Sequence, residues 1–376
     1  MEIAIKELGA IITGNTPSKK VKEYWNSKDI CFVKPDIIAD EGVDDITESN
    51  EYISEFARKK ARIVKENAIF VTCIGSIGKI GIAGSDEYAF NQQINVIIPN
   101  EKVRSKYLAY NLYFNKSKLV AIANAPVVPI INKSQFGDFI INIDTDINKQ
   151  DKAIEVLDKL TKIIQQRKNE IMYLDNLIKA RFVEMFGDMY LNSKGWSEAK
   201  LESMADVVSG ITKGRKTKSE DLIEVPYMAV SNVKDGYIDW TTVKTIEATQ
   251  QEIEQYRLLA DDVLMTEGGD PDKVGRGAII KEPLENCIHQ NHIFRVRLDE
   301  SVMLPEFFAE YLQHQRSKRY FLGCAKQTTG IASINMTQLR ALPVLMPPLS
   351  KQEEFVLFKA QVDKSKVIKQ NNQVFS

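Results

Sequence analysis

The stretch TKGRKTK (212–218) places Lys213, Arg215, Lys216 and Lys218 around a glycine, directly after the strand-like run ADVVSGI. Mobile cations beside exposed backbone N–H groups are what a phosphate contact requires. NTPSKK (15–20) offers Lys19 and Lys20 in a similar setting. GSIGK (75–79) and GGDPDKVGR (268–276) are glycine-containing turns carrying Lys79, Lys273 and Arg276. Neither has the spacing of a Walker motif, but glycine lets a backbone come close to a duplex. NQQ (91–93) and HQNH (289–292) supply amides and imidazoles suited to base edges, with Gln92, Gln290 and Asn291 as the candidates. Gln and Asn can grip adenine with two hydrogen bonds. Each motif also has a plainer reading, as a solvated loop, a tight turn or a polar group in the core.

Other chemistry is missing from the sequence. The two histidines of HQNH lack the spacing and partners of a zinc site. The four cysteines are far apart, form no CxxC pair and read as free thiols. MPPL (346–349) lacks the acid or amide and the aromatic of an adenine-methyltransferase motif. No G-x-G loop suits S-adenosylmethionine, and neither a nuclease-like acidic cluster nor a Walker A loop is present. The expected function is therefore non-catalytic, with no metal and no cofactor bound directly. A net charge of −1 argues against an evenly basic coat, but phosphate binding depends on local clusters. No apolar run is long enough to span a membrane and the start of the chain lacks signal-peptide character, so a cytoplasmic location is expected.

The elements that position these residues come in two copies. IKELGAIITGNTPSK (5–19) aligns with LESMADVVSGITKGRK (201–216), and GSIGKIGIAG (75–84) with GGDPDKVGRGA (268–278). FNQQINVIIP (90–99) aligns with IHQNHIFRVR (288–297), pairing Gln92 with Gln290. KYLAYNL, INKSQF and KQDKAIEVLDKL align with EFFAEYL, INMTQL and KQEEFVLFKAQV. The order never changes and the offset stays at roughly 200 residues, the mark of an internal duplication.

Each copy mixes strands and helices. AIFVTCIG (68–75) and INVIIP (94–99) read as strands, as do DVLMTEGG (262–269) and HIFRVRL (292–298). Residues 104–123 and 305–322 read as helices, the second with Pro305 at its start. From 148 to 187, with Asn148 as cap, apolar residues recur at alternating three and four, interrupted by Arg167 and Arg181: Ala153, Leu157, Leu160, Ile164, Ile171, Leu174, Ile178 and Met185. That is a coiled-coil seam, on a rod of about 57 Å. It ends in an aromatic tip with Phe182, Met185 and Phe186, which either plugs into the neighbouring domain or docks a partner. Residues 349–376 supply a second, shorter helix after Pro347 and Pro348.

A duplicated unit followed each time by a long helix, with VSGITKGRK (208–216), EGGDPDKVGRG (267–277), INMTQLRALPVLMPPLSKQEE (334–354) and KARFVEMFGD (179–188), resembles the specificity subunit of type I restriction–modification systems. The resemblance covers nearly the whole chain. It implies a mixed α/β fold with target-recognition domains at 1–147 and 188–348. The central helix (148–187) and the last helix (349–376) would then form an antiparallel coiled coil with pseudo-twofold symmetry. It also implies double-stranded DNA as ligand, two methyltransferase subunits and restriction subunits as partners, and S-adenosylmethionine, ATP and Mg on those partners. KQTTGIASINMTQ (326–338) becomes a candidate groove-entering loop with Lys326, Thr328 and Thr329, and its loose counterpart adds Lys133. The alternative is a coiled-coil scaffold, or an inactive specificity subunit, with weak DNA binding.

Overall fold

A computed structural model describes residues 1–123, 128–215, 221–269, 274–328 and 331–371. The chain divides into two compact units, Met1–Arg167 and Lys168–Ser376.

The first unit is built on a five-stranded sheet in the order Gly9–Thr13, Ile94–Pro99, Ile69–Thr72, Ile80–Ala83, Val43–Ile46. Ile69–Thr72 and Ile80–Ala83 are buried along their whole length, which explains their unbroken apolar, β-branched runs. A second sheet runs Tyr52–Ile53, Ile30–Val33, Tyr88–Phe90, Ile63–Val64. The second unit repeats the first sheet as Ala205–Ser209, Ile293–Leu298, Val263–Thr266, Gly277–Ile279. Its other large sheet runs Lys244–Ala248, Ile223–Met228, Ile288–His289.

Two polar devices occur in both units. Asn132 caps the helix Lys133–Gly137 by accepting from the Gln135 N–H, while Gln135 reaches back to the Asn132 N–H. Asn335 and Gln338 do the same for the helix Met336–Arg340. This reciprocal cap satisfies two helix-end donors at once. Gln150 is fully buried. Its Oε1 accepts from the Arg104 N–H at 2.8 Å, and its Nε2 donates to the Lys102 and Asp144 carbonyls. Gln352, also fully buried, repeats the pattern with Leu304 N–H, Val302 O and Pro347 O. Each glutamine ties the root of a long helix to the start of a domain helix. Buried polar groups persist where they are satisfied, and here the same three bonds are made twice.

The helices expected over 104–123 and 305–322 are each broken in two. Ser105–Phe114 is separated from Lys116–Ala121 at Asn115, whose side chain donates to the Asn111 carbonyl. Pro305–Gln313 is separated from Gln315–Cys324 at His314, which is extended. Its ring stacks on Phe182 at 4.0 Å.

The central helix spans Ile147–Phe186. Its cap is Asp146, not Asn148: Asp146 Oδ1 accepts from the Asn148 N–H, and its carbonyl accepts the first helical bonds. Gly187 ends the helix at φ 77° and donates to the Val183 carbonyl, as a left-handed C-terminal glycine does. The aromatic tip is a plug. Phe182 and Phe186 are fully buried and Met185 nearly so, in the second unit's own core with Phe307, Tyr311, Leu345 and Phe355. A partner-docking role for these three side chains is thereby corrected, because the core of their own unit already covers them. The last helix runs Leu349–Asn371. Arg181 pairs with Glu354 at 2.8 Å and Asp175 with Lys366 at 2.7 Å, so the two helices run antiparallel over this stretch. Earlier seam positions Leu160 and Ile164 are exposed. No helix among the described residues is long and apolar enough to cross a membrane.

Candidate nucleic-acid interface

The candidate loops gather at one end of the main sheet in each unit, held by matching backbone hydrogen bonds. In the first unit Asn15 N–H donates to Phe90 O, Cys73 N–H to Gln93 O, Gly75 N–H to Pro129 O and Ile131 N–H to Cys73 O. This joins the loops at 14–20, 73–79, 91–93 and 129–133. In the second unit Ile211 N–H donates to His289 O, Glu267 N–H to His292 O and Ile334 N–H to Glu267 O. Thr72 N–H donates to Lys79 O, and Thr266 N–H to Arg276 O. Gly14 and Gly210 pass so close to the neighbouring loop that a Cβ would run into the carbonyls of Asn91 and His289 respectively.

These bonds fix the correspondence between the copies. Ile94 N–H turns back to Asn91 O as Ile293 N–H turns back to Gln290 O. Gln92 therefore corresponds to Asn291 rather than Gln290, a one-residue correction to the sequence pairing. Lys79 corresponds to Arg276.

The candidate side chains divide by exposure. Lys20, Lys133, Lys213 and Lys326 are exposed. Gln92 is exposed and accepts from the Thr16 hydroxyl at 2.8 Å. Lys19 is exposed but engaged: it pairs with Glu51 at 2.5 Å and lies 4.3 Å from the centre of the Trp25 ring. Lys79 is folded inward, its side chain 13% exposed, and binds Asp40 at 2.8 Å and the Pro35 carbonyl. Arg215 is gripped by both Glu252 oxygens and by the Glu247 carbonyl. The Arg215 guanidinium is the largest influence holding the Glu252 carboxyl down at about 2. Arg276 is half-buried, and its Nε is buried without a partner among the described residues. Gln290 is half-buried, its Oε1 accepting from the Val230 N–H at 3.4 Å, and Asn291 is half-buried beside it. Lys216, Lys218, Lys273 and Thr329 lie outside the described residues, as does the side chain of Thr328.

His289 is a core residue. It is fully buried, with Nδ1 3.0 Å from the Tyr256 carbonyl, and burial pushes its pKa down to about 4. Two features escaped the sequence reading. The basic run RKKAR (58–62) meets the first loop: Asn15 Nδ2 donates to Lys60 O, Arg62 N–H to Asn15 Oδ1, and the Arg62 guanidinium to Thr13 O. Lys59, Lys60 and Arg62 are exposed there. The run itself was the signal, but its apposition to residue 15 is a tertiary fact. The second feature is the pairing of His292, an imidazole of the HQNH motif, with Glu267 at 2.5 Å. Among the described residues no three His, Cys, Asp or Glu side chains gather as a metal site requires.

The family model for the type I restriction modification DNA specificity domain matches residues 1–173 and again 193–374. The EcoKI specificity subunit of Escherichia coli K12 is 20% identical over 324 residues, covering 80% of this chain and 68% of that one. The MjaIX specificity subunit of Methanocaldococcus jannaschii is 27% identical over 252 residues, covering 62% and 57%. Matches to the most similar relatives span from 39% to 68% of their own lengths. A crystal structure of a type I restriction–modification S subunit from M. genitalium shares the fold, with a TM-score of 0.55 at 14% identity, over 99% of this chain and 91% of that one. With two copies of the domain, matched loop clusters and no catalytic motif in its sequence, the chain belongs to the family of type I restriction–modification DNA specificity subunits.

Proposed function

We propose that each unit reads one part of a bipartite duplex target, and that the protein seats two adenine methyltransferase subunits, with restriction subunits joining them. The observation that carries this reading is the twofold occurrence of one loop cluster, held by the same backbone bonds and rimmed by exposed cations. In the first unit those cations are Lys20, Lys59, Lys60, Arg62 and Lys133, and in the second Lys213 and Lys326. The amides of Gln92, exposed, and Asn291, half-buried, sit among them at equivalent positions. Cations grip phosphate and set register, and amides read base edges. S-adenosylmethionine, ATP and Mg belong to the partner subunits, and the assembly acts in the cytoplasm, where its DNA lies.

Salt-titrated binding to duplex DNA tests the reading. A protein that neutralises several phosphates loses affinity steeply, with a slope of about −0.9 per phosphate on a log–log plot. A flat response, or no binding at low salt, would leave only a scaffold.

A further inference from the structure

Glu267 is out of place on a surface that grips phosphate. Its backbone is fixed from three sides: its N–H donates to His292 O at 3.0 Å, its carbonyl accepts from Ile334 N–H at 2.8 Å, and the next residue, Gly268, pairs with Ser333. Gly268 packs so closely that a Cβ there would meet the Ala332 carbonyl at 2.9 Å. The opposite loop is equally tied, with Gln290 N–H on Met228 O and Asn291 N–H on Ile211 O. On this frame the Glu267 side chain stays 34% exposed and His292 55% exposed, with Nδ1 and Oε2 2.5 Å apart.

An imidazole facing a carboxylate through Nδ1 carries its proton there. That bond occupies Oε2 and leaves Oε1 of Glu267 as a hydrogen-bond acceptor. The part-exposed Glu267 carboxylate therefore presents an acceptor. Phosphates repel such a group. In the major groove its complements are the exocyclic amino groups, cytosine N4 and adenine N6. We propose that Glu267, oriented by His292, reads an exocyclic amino group in the half-site bound by the second unit. At the corresponding positions the first unit carries Cys73, which is buried, and Gln93. The two units would then prefer different bases at this point. The inference rests on the DNA-reading function proposed above.

The test is selection from a randomised duplex pool by the full chain, followed by sequencing, for wild type, Glu267→Gln, Glu267→Ala and His292→Ala. Both Glu267 variants should alter one and the same base pair in one half of the motif. Discrimination there should fall on the order of 10-fold, the scale of one base-edge contact. His292→Ala should weaken it partially, and the other half should stay unchanged, which also reports that the variants are folded. The identity of the altered pair decides between cytosine and adenine. An unchanged motif in both Glu267 variants, or an even loss across all positions, would overturn the inference while leaving DNA reading intact. If wild type itself enriches no sequence, the proposed function fails and the inference falls with it.

Discussion

Replacing Phe182 by alanine should loosen the packing of the long helices into the second unit's core. The ring is fully buried and meets four others: Phe186 at 4.8 Å, Phe307 at 5.5 Å, Phe355 at 5.2 Å and His314 at 4.0 Å. Phe→Ala in a packed core costs about 3–5 kcal/mol, and aromatic pairs add to the area term, so a value near ~4 kcal/mol is expected. With a urea m-value of about 2 kcal/mol per molar, the unfolding midpoint of the second unit falls by roughly 2 M. Hydrogen exchange resolved by segment is the suitable assay, because a two-unit chain need not unfold in one step. Protection should drop in 171–186 and 349–366 and hold in residues 1–123. The control is Val183→Ala on the same helix, where the side chain is 50% exposed and the effect should stay within about 0.5 kcal/mol. If Phe182→Ala costs less than about 1 kcal/mol, or no more than Val183→Ala, the plug is not what anchors these helices.

Gln150→Ala and Gln352→Ala should each cost about 2–4 kcal/mol, since each leaves an N–H and two carbonyls around a buried side chain without their partner. Segment-resolved exchange should confine the loss to the altered unit. Acid should weaken the second unit. His289 and His314 are held neutral by burial, each pushed down to about 4 from 6.5. Between those values the unfolded chain binds more protons, so stability falls as pH drops from about 6.5 to 4, by at most ~3 kcal/mol per histidine. Denaturant titrations at several pH values should show that slope, reduced in His314→Gln. Replacing Lys59, Lys60 and Arg62 together by alanine should lower the salt slope of DNA binding by about 1 for each phosphate no longer neutralised, with no change in sequence preference.

Much of the architecture was legible because it is local or repeated. Strand Ile94–Pro99 and the central helix follow from residue pattern, and the duplication from collinear motifs. The misread cations share one physical cause, a partner distant in sequence. Lys79 reads as a cation in a glycine turn, but Asp40 comes from another strand connection and holds it inward. Arg215 reads as a loop cation, yet Glu252, which also takes part in the capping box of the helix Gln250–Tyr256, grips it. Gln92 matches Gln290 by residue type, while hydrogen bonding at the strand start puts it opposite Asn291. The helix breaks at Asn115 and His314 leave the apolar periodicity nearly intact, so pattern alone does not reveal them. The aromatic tip has two readings in sequence, and only burial chooses between them.

The most direct measurement is single-molecule sequencing of DNA methylated in cells that carry this gene with the methyltransferase subunit proposed as its partner, against cells lacking only this gene. The expected result is a split motif with a fixed spacer, methylated on both strands and present only with this protein. Unchanged methylation despite a stable complex with the methyltransferase would contradict it.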